Sequence, residues 1–244
     1  MKTKPFITFT FLLLTWATMH SQNKFYDYHD RNPEGKVHIL YMAGGSWHDH
    51  LAVASILRKF LEVRHDYYIT YSEDFRIFTR PLDQYDIIIM NGMPTEMEAD
   101  EFEGFSNAVK EGMPVLGLHS ATAALKKDDA HKSNYTDLIG ADFGKHPPIY
   151  TIPVSIVNQD HPIVKNIGDF EIYDEMYFYK EKREDSTVLI EAEHEGVITP
   201  IAWIRSYGKG TVFYTSLGHG VGAATNKYFQ QLVLNALIYL TENE

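Results

Sequence analysis

The run Asp86-Ile87-Ile88-Ile89-Met90 is apolar at four successive positions. A half-exposed strand alternates polar and apolar residues, so a short unbroken apolar run fits a strand covered on both faces, as in a parallel sheet. Similar strand-like runs stand at 37–42, 67–71 and 114–118, and stretches with helical spacing lie between them. Residues 51–61 put Val53, Ile56, Leu57 and Phe60 on one helical face. Residues 95–110 open with Thr95 three places before Glu98, a capping-box spacing, and close near Gly112. The second half is richer in strands, at 150–157, 176–179, 188–191, 201–205 and 211–216, before a closing helix over about 225–240. Strands alternating with helices predict an α/β fold: one doubly wound, mostly parallel sheet with helices on both faces.

Three of these strands end in histidine. The run 37–42 leads into Gly44-Gly45-Ser46-Trp47-His48-Asp49-His50, 114–118 runs straight into His119-Ser120, and 211–216 leads into Gly218-His219. Open α/β sheets bind ligands in the crevice outside the carboxyl ends of their strands. The pattern therefore predicts that His48, His50, His119 and His219 share one crevice.

Composition narrows the partners. The formal charge of −11 argues against nucleic acid, which needs clustered Lys and Arg. There is no basic amphipathic segment for a membrane surface. Residues 1–21 read as a signal peptide: Lys2 and Lys4, an apolar run over 6–17, then a polar stretch to Gln22, with Met19 imperfect for a cut after Ser21. A lead-in at 22–36 and a single domain over 37–241 complete the expected organisation. The chain has no cysteine, so a thiolate site, a cysteine nucleophile and lipid attachment at an N-terminal cysteine are all excluded. A periplasmic or secreted location is the expectation, without a stable membrane anchor.

An ordered set of motifs then carries a resemblance. It comprises Gly117-Leu118-His119-Ser120, Gly140-Ala141-Asp142-Phe143-Gly144-Lys145-His146-Pro147, His161-Pro162 and Asp174-Glu175-Met176-Tyr177. Pro200-Ile201-Ala202-Trp203, Tyr207-Gly208-Lys209-Gly210 and Tyr214-Thr215-Ser216-Leu217-Gly218-His219 follow. Together, over 37–240, they resemble the ThuA-like (trehalose utilisation) proteins, of the class I glutamine amidotransferase-like superfamily. The resemblance implies a flavodoxin-like fold. The chain departs from the family's usual glycine run before the fourth strand, where it has Glu111-Gly112-Met113. In true amidotransferases the matching strand ends in a strained elbow bearing a cysteine nucleophile. Here His119 stands at that place, so glutamine hydrolysis through a thioester is excluded. The G-x-S-x-G elbow is absent too, which leaves Ser120 as a cap for the following helix or a substrate contact rather than a nucleophile.

Glycine or proline neighbours hold His48, His119, His146 and His219 at element ends, where close ligand approach is permitted. His38, inside a strand, reads as a satisfied core or edge residue, and His161, before Pro162, as either a structural turn or a functional residue. Read as a strand, 174–177 turns Glu175 and Tyr177 to one face and Asp174 to the other. The candidate catalytic residues are thus His119, Glu175, Asp174 and Tyr177. Candidate substrate contacts are Trp47, His48, Ser120, His146, Trp203 and His219; the two tryptophans either belong to the core or offer a sugar ring an apolar face. A divalent metal ion is a candidate cofactor, with His48-x-His50 presenting two imidazoles and His119, His219 or Glu175 completing the shell. A metal-free acid/base pair is the other reading of the same residues.

The resemblance implies trehalose-related disaccharides as substrates, and a place beside NAD-dependent dehydrogenases that make 3-keto sugars. A 3-keto group acidifies the C2 proton, which a base removes while an acid or metal stabilises the enolate and a second acid assists the aglycone. The expectation is a carbohydrate-processing enzyme of this kind, with a non-catalytic carbohydrate-binding protein of the same fold as the alternative.

Overall fold

The computed structural model describes residues 35–45, 47–64 and 66–242. The expected signal peptide and all but the last two residues of the lead-in lie outside the described residues. In chain order the strands are β1 (Val37–Met42), β2 (Tyr67–Ser72), β3 (Ile87–Met90), β4 (Val115–Leu118), β5 (Ala141–Lys145) and β6 (Tyr150–Ile156). After them come β7 (Phe170–Asp174), β8 (Phe178–Lys182), β9 (Thr187–His194), β10 (Val197–Tyr207) and β11 (Gly210–Thr215). The helices are α1 (His50–Glu62), α2 (Ala99–Glu111), α3 (Lys132–Ile139), the single turn α4 (Val221–Ala224) and α5 (Lys227–Glu242).

One sheet runs in the order β2-β1-β3-β4-β11-β10-β9-β6-β7. Its first five strands are mutually parallel, in the flavodoxin-like order. The other four are antiparallel to their neighbours. The remaining strands, β5 and β8, form a separate antiparallel ribbon. Because side chains alternate along a strand, β1 sends Ile39 and Tyr41 into one core and Leu40 and Met42 into another. The first core packs beneath α1 and α5 through Leu57, Leu61, Phe229 and Leu232; the second packs beneath α2 and α3 through Phe102, Phe105, Tyr135 and Leu138. Helices therefore cover both faces, as the unbroken apolar runs require.

Several boundaries differ from the sequence reading. Helix α2 begins at Ala99, and its capping box is Glu98 with Glu101 rather than Thr95 with Glu98. Carboxylates serve there because the Glu98 side chain meets the free N–H groups of the first turn while Glu101 reaches back to the Glu98 N–H at 3.0 Å. The expected strand at 176–179 starts only at Phe178, and residues 175–177 form a loop. Helix α3 and strand β5 carry too little periodic apolar signal to be expected from sequence, and β7, a five-residue alternating strand, is also absent from the sequence reading. Ser120 does not cap a helix: it lies in a buried 3-10 turn, His119–Ala123, and its hydroxyl donates to the Asn91 carbonyl at 3.3 Å.

Candidate functional site

The end of β4 builds the first wall. His119 takes a left-handed backbone conformation, φ +39°, which a non-glycine residue holds only when its surroundings compel it. The Tyr214 hydroxyl donates to the His119 carbonyl at 2.7 Å. Having spent its one proton there, Tyr214 accepts from Thr122 Oγ1 at 2.8 Å. The imidazole is fixed as firmly: Nδ1 lies 2.6 Å from the Ser216 carbonyl, an acceptor only, so Nδ1 carries the proton. That leaves Nε2 facing the site as an acceptor whenever the ring is neutral. The Tyr177 hydroxyl reaches it at 2.8 Å.

The second wall comes from the far side of the sheet. β7 ends at Asp174, whose carboxylate accepts three backbone N–H groups: Gly218 at 2.7 Å, Glu175 at 2.9 Å and His219 at 3.0 Å. Asp174 thus clips the loop after β7 to the loop after β11. Its oxygens are spent on the backbone, so it positions Glu175 and His219 rather than facing the pocket. Held this way, Glu175 Oε2 lies 3.1 Å from His219 Nδ1 and 3.4 Å from His119 Nε2, while Oε1 lies 3.6 Å from His146 Nδ1. His219 Nδ1 and His119 Nε2 are themselves 3.2 Å apart.

The third wall is the loop after β1, where Gly44 and Gly45 both take positive φ. Asp49 caps α1 by accepting from Ala52 N at 3.0 Å. The His48 ring sits 4.8 Å from the His119 ring and 5.0 Å from the His219 ring. Its buried Nδ1 has no hydrogen-bond partner among the described residues. One ligand atom from each of His48, His119, Glu175 and His219 falls within 4.8 Å of the other three. A pocket of about 490 Å³ opens over this cluster, walled also by Trp47, Phe143, His146 and Tyr177.

The electrostatics follow from burial and company. Burial pushes the Glu175 carboxyl up, but hydrogen bonds and charge from His119 and His219 outweigh it and hold the group well below the usual carboxylate range. The same hydrogen bond to Glu175 raises His219. Burial, reinforced by the neighbouring imidazoles, lowers His48 to about 3. Burial and the adjacent Glu175 charge push the Tyr177 phenol far above its ordinary range. At neutral pH the cluster therefore holds an anionic Glu175, a neutral His48 and a Tyr177 that donates.

The expected site residues divide clearly. His48, His119, Glu175, Tyr177, His146 and His219 converge, and Trp47, 80% exposed, stands at the pocket rim. His50 is not one of the four ligands that converge: it is the buried first residue of α1, its ring 5.4 Å from that of His48, with neither ring nitrogen partnered among the described residues. Trp203 is fully buried between Tyr179 and Tyr214 and donates to the Ile139 carbonyl, so it offers no face to a sugar. His38 is a satisfied core residue, bonded to the Gln84 carbonyl and the Thr70 hydroxyl. His161 accepts from Ile163 N at the head of a turn and packs at a tilt against Tyr239. Sequence reasoning missed Phe143, whose ring lies 4.4 Å from that of Tyr177, and the Tyr214–Thr122 support beneath His119. Only the position of Phe143 within the Gly140–Pro147 motif hinted at it.

Comparison with known proteins agrees with this architecture. The family model described as trehalose utilisation, ThuA, matches residues 36–240. A ThuA-like protein from Parabacteroides merdae superposes with a TM-score of 0.75 at 16% identity, covering 86% of this chain and 91% of that one. One from Bacteroides uniformis superposes at 0.72 with 19% identity, covering 88% and 95%. A β-galactosidase from Bacillus circulans shares the fold over 83% of this chain but only 31% of its own, at 12% identity and a TM-score of 0.59. No curated protein matches the sequence significantly. With the family model spanning nearly all the described residues and the sheet order in accord, the chain belongs to the trehalose utilisation (ThuA) family.

Proposed function

We propose that this chain is an exported carbohydrate-processing enzyme acting on a trehalose-related disaccharide or 3-keto-glycoside. The observation that carries the reading is the meeting of His119 Nε2, His219 Nδ1 and Glu175 Oε2 at 3.1–3.4 Å beneath a sugar-sized pocket. Each group comes from a different loop, and a fully buried carboxylate is committed to holding two of those loops together. Such convergence of titratable groups with displaced pKa values marks a site of proton transfer.

In this reading the 3-keto group, supplied by an NAD-dependent sugar dehydrogenase, makes the C2–H bond acidic. A carboxylate or imidazole of the His119–Glu175 pair takes that proton, and the C2–H electron pair delocalises onto the C3 oxygen as an enolate. Positive charge in the cluster, carried by protonated His219 or by a cation in its place, stabilises the developing oxyanion. Return of the electron pair expels the aglycone from C1, and a second donor gives its oxygen a proton. Tyr177 is such a donor, and His48 and His146 orient the sugar oxygens.

The test is turnover of 3-keto-disaccharides by the wild type, His119→Ala and Glu175→Ala. Loss of turnover in both variants, with folding kept, is expected; intact turnover in both ends the acid/base reading. The exposed Trp47 indole at the rim favours one alternative, a non-catalytic carbohydrate-binding protein. In that case Trp47→Ala weakens sugar binding more than His119→Ala does. Export is tested separately, by cell fractionation and N-terminal sequencing, with Gln22 as the expected first residue.

A further inference from the structure

We propose that His48, His119, Glu175 and His219 form a binding site for one divalent transition-metal ion of the zinc class. The proposal rests on the foregoing reading of the site and sharpens it by making the electrophile a metal ion rather than a proton.

An ion bound tetrahedrally at about 2.0–2.1 Å by nitrogen and oxygen ligands sets its ligands roughly 3.3–3.4 Å apart. His119 Nε2, His219 Nδ1 and Glu175 Oε2 are separated by 3.2, 3.1 and 3.4 Å, so they already form one face of such a tetrahedron. The fourth ligand is His48: it offers a ring nitrogen within 4.8 Å of the other three ligand atoms, close enough to reach the fourth corner by a small movement of the loop after β1, and its buried Nδ1 lacks any partner among the described residues. Three imidazoles and one carboxylate select a borderline ion. Calcium and magnesium prefer shells of oxygen, and the chain has no thiolate to offer.

The outer contacts are those of a ligand set. A metal-binding imidazole ordinarily donates its other N–H to a carbonyl or carboxylate, which fixes the tautomer and ring orientation. His119 does this through Nδ1 to Ser216, and the strained backbone at His119 delivers the ring to the crevice. Asp174 sets the approach of Glu175 and His219 through three N–H bonds. His50, which the H-x-H spacing makes an obvious partner of His48, is left out of the set. With the four ligands occupied, the pocket keeps two groups able to carry protons, Tyr177 and His146. The Tyr177 hydroxyl, no longer needed by Nε2, is then free to donate to a bound sugar oxygen.

The experiment uses the full chain, stripped with EDTA and titrated with Zn²⁺ and, separately, Co²⁺. One equivalent is expected to bind. A hundredfold excess over Kd is expected to raise Tm by roughly 5–10 °C. The Co²⁺ form should show the intense visible bands of a four-coordinate site. Loss of an outer partner alone weakens metal sites 10–100-fold, so Glu175→Gln and His219→Asn should each weaken binding at least about 100-fold. Failure of the wild type to bind either ion stoichiometrically overturns the proposal, as does undiminished binding by both variants. If the variants do not fold, the wild-type titration and Co²⁺ spectrum still decide. Full turnover by stripped protein denies the ion the electrophile's role and leaves the keto-glycoside reading standing; one tightly bound ion without turnover on keto-glycosides keeps the metal site and overturns that reading.

Discussion

The two ends of the parallel sheet present opposite arrangements. Beside the amino ends of β3, β4 and β11 lies the larger cavity, an open groove of about 830 Å³ whose lining includes Phe78, Leu82, Tyr85, Gly104, Met113 and Lys209. At the carboxyl ends the pocket is smaller, about 490 Å³, yet four histidines and a glutamate line it or lie beneath it. Cavity size thus does not mark the chemistry. The carboxyl ends bring together loops from the first, fourth, seventh and eleventh strands, whereas the groove lies mainly between helix α2, the segment before β3 and the turn before β11. Among its ionic groups Asp86 serves the backbone, accepting from His38 N at 2.7 Å.

The sharpest contrast between the ends should come from Glu175→Gln. Turnover of a 3-keto-disaccharide is expected to fall about 10³-fold with the fold kept, because the substitution keeps shape and removes charge. Comparable kinetics in variant and wild type would remove Glu175 from the reaction. Asp174→Ala strands three buried N–H groups and should cost about 3–5 kcal/mol in urea unfolding, with turnover falling as the two loops separate. A cost below about 1 kcal/mol would refute the clip.

At the groove end the largest effect belongs to packing. A Cβ at Gly104 would sit 1.9 Å from the Phe78 carbonyl oxygen, so Gly104→Ala should cost about 3 kcal/mol while per-molecule turnover of the folded fraction is kept. A neutral effect on stability would mean that α2 slides freely past Phe78.

Acid sensitivity offers a subtler test. His48 is held neutral in the folded chain, down to about pH 3, but takes a proton near its ordinary value of 6.5 once unfolded. Its contribution to stability is therefore full above pH 6.5 and declines as the pH falls towards 3. His219, raised by Glu175, acts in the opposite sense: its contribution is full below 6.5 and is lost as the pH rises through its folded value. In EDTA, His48→Asn should flatten the decline of stability between pH 6.5 and 4; an unchanged slope would contradict the burial argument. The smallest effect is expected for Lys209→Ala in the groove: less than about 0.5 kcal/mol, and no change in turnover.

The legible parts of the fold were those whose signal is local. The run Ile87-Ile88-Ile89-Met90 can be satisfied only by cover on both faces, and β3 is fully buried. Helix α5 announces itself by apolar periodicity. Helix α3, in contrast, reads KSNYTDLI, a weak helix former, and is held because Tyr135, Leu138 and Ile139 are buried against the sheet. Strand β5 contains Gly144 and ends in the exposed Lys145, and it exists because β8 pairs with it.

The site divides in the same way. Strand ends followed by histidine were visible in the residues themselves, since a strand's carboxyl end is a property of local pattern, and they placed His48, His119 and His219 on one edge. The order of the motifs likewise pointed to the family. Glu175 was a candidate from its motif, but only the tertiary structure showed how it reaches the histidines: it arrives from β7 at the opposite edge of the sheet, tied in by Asp174. Only the tertiary structure left His50 out of the four-residue ligand group, although its ring lies 5.4 Å from that of His48, and buried Trp203 inside the core. Spacing along a chain sets which residues share an element; which elements share a crevice is decided by long-range pairing and packing.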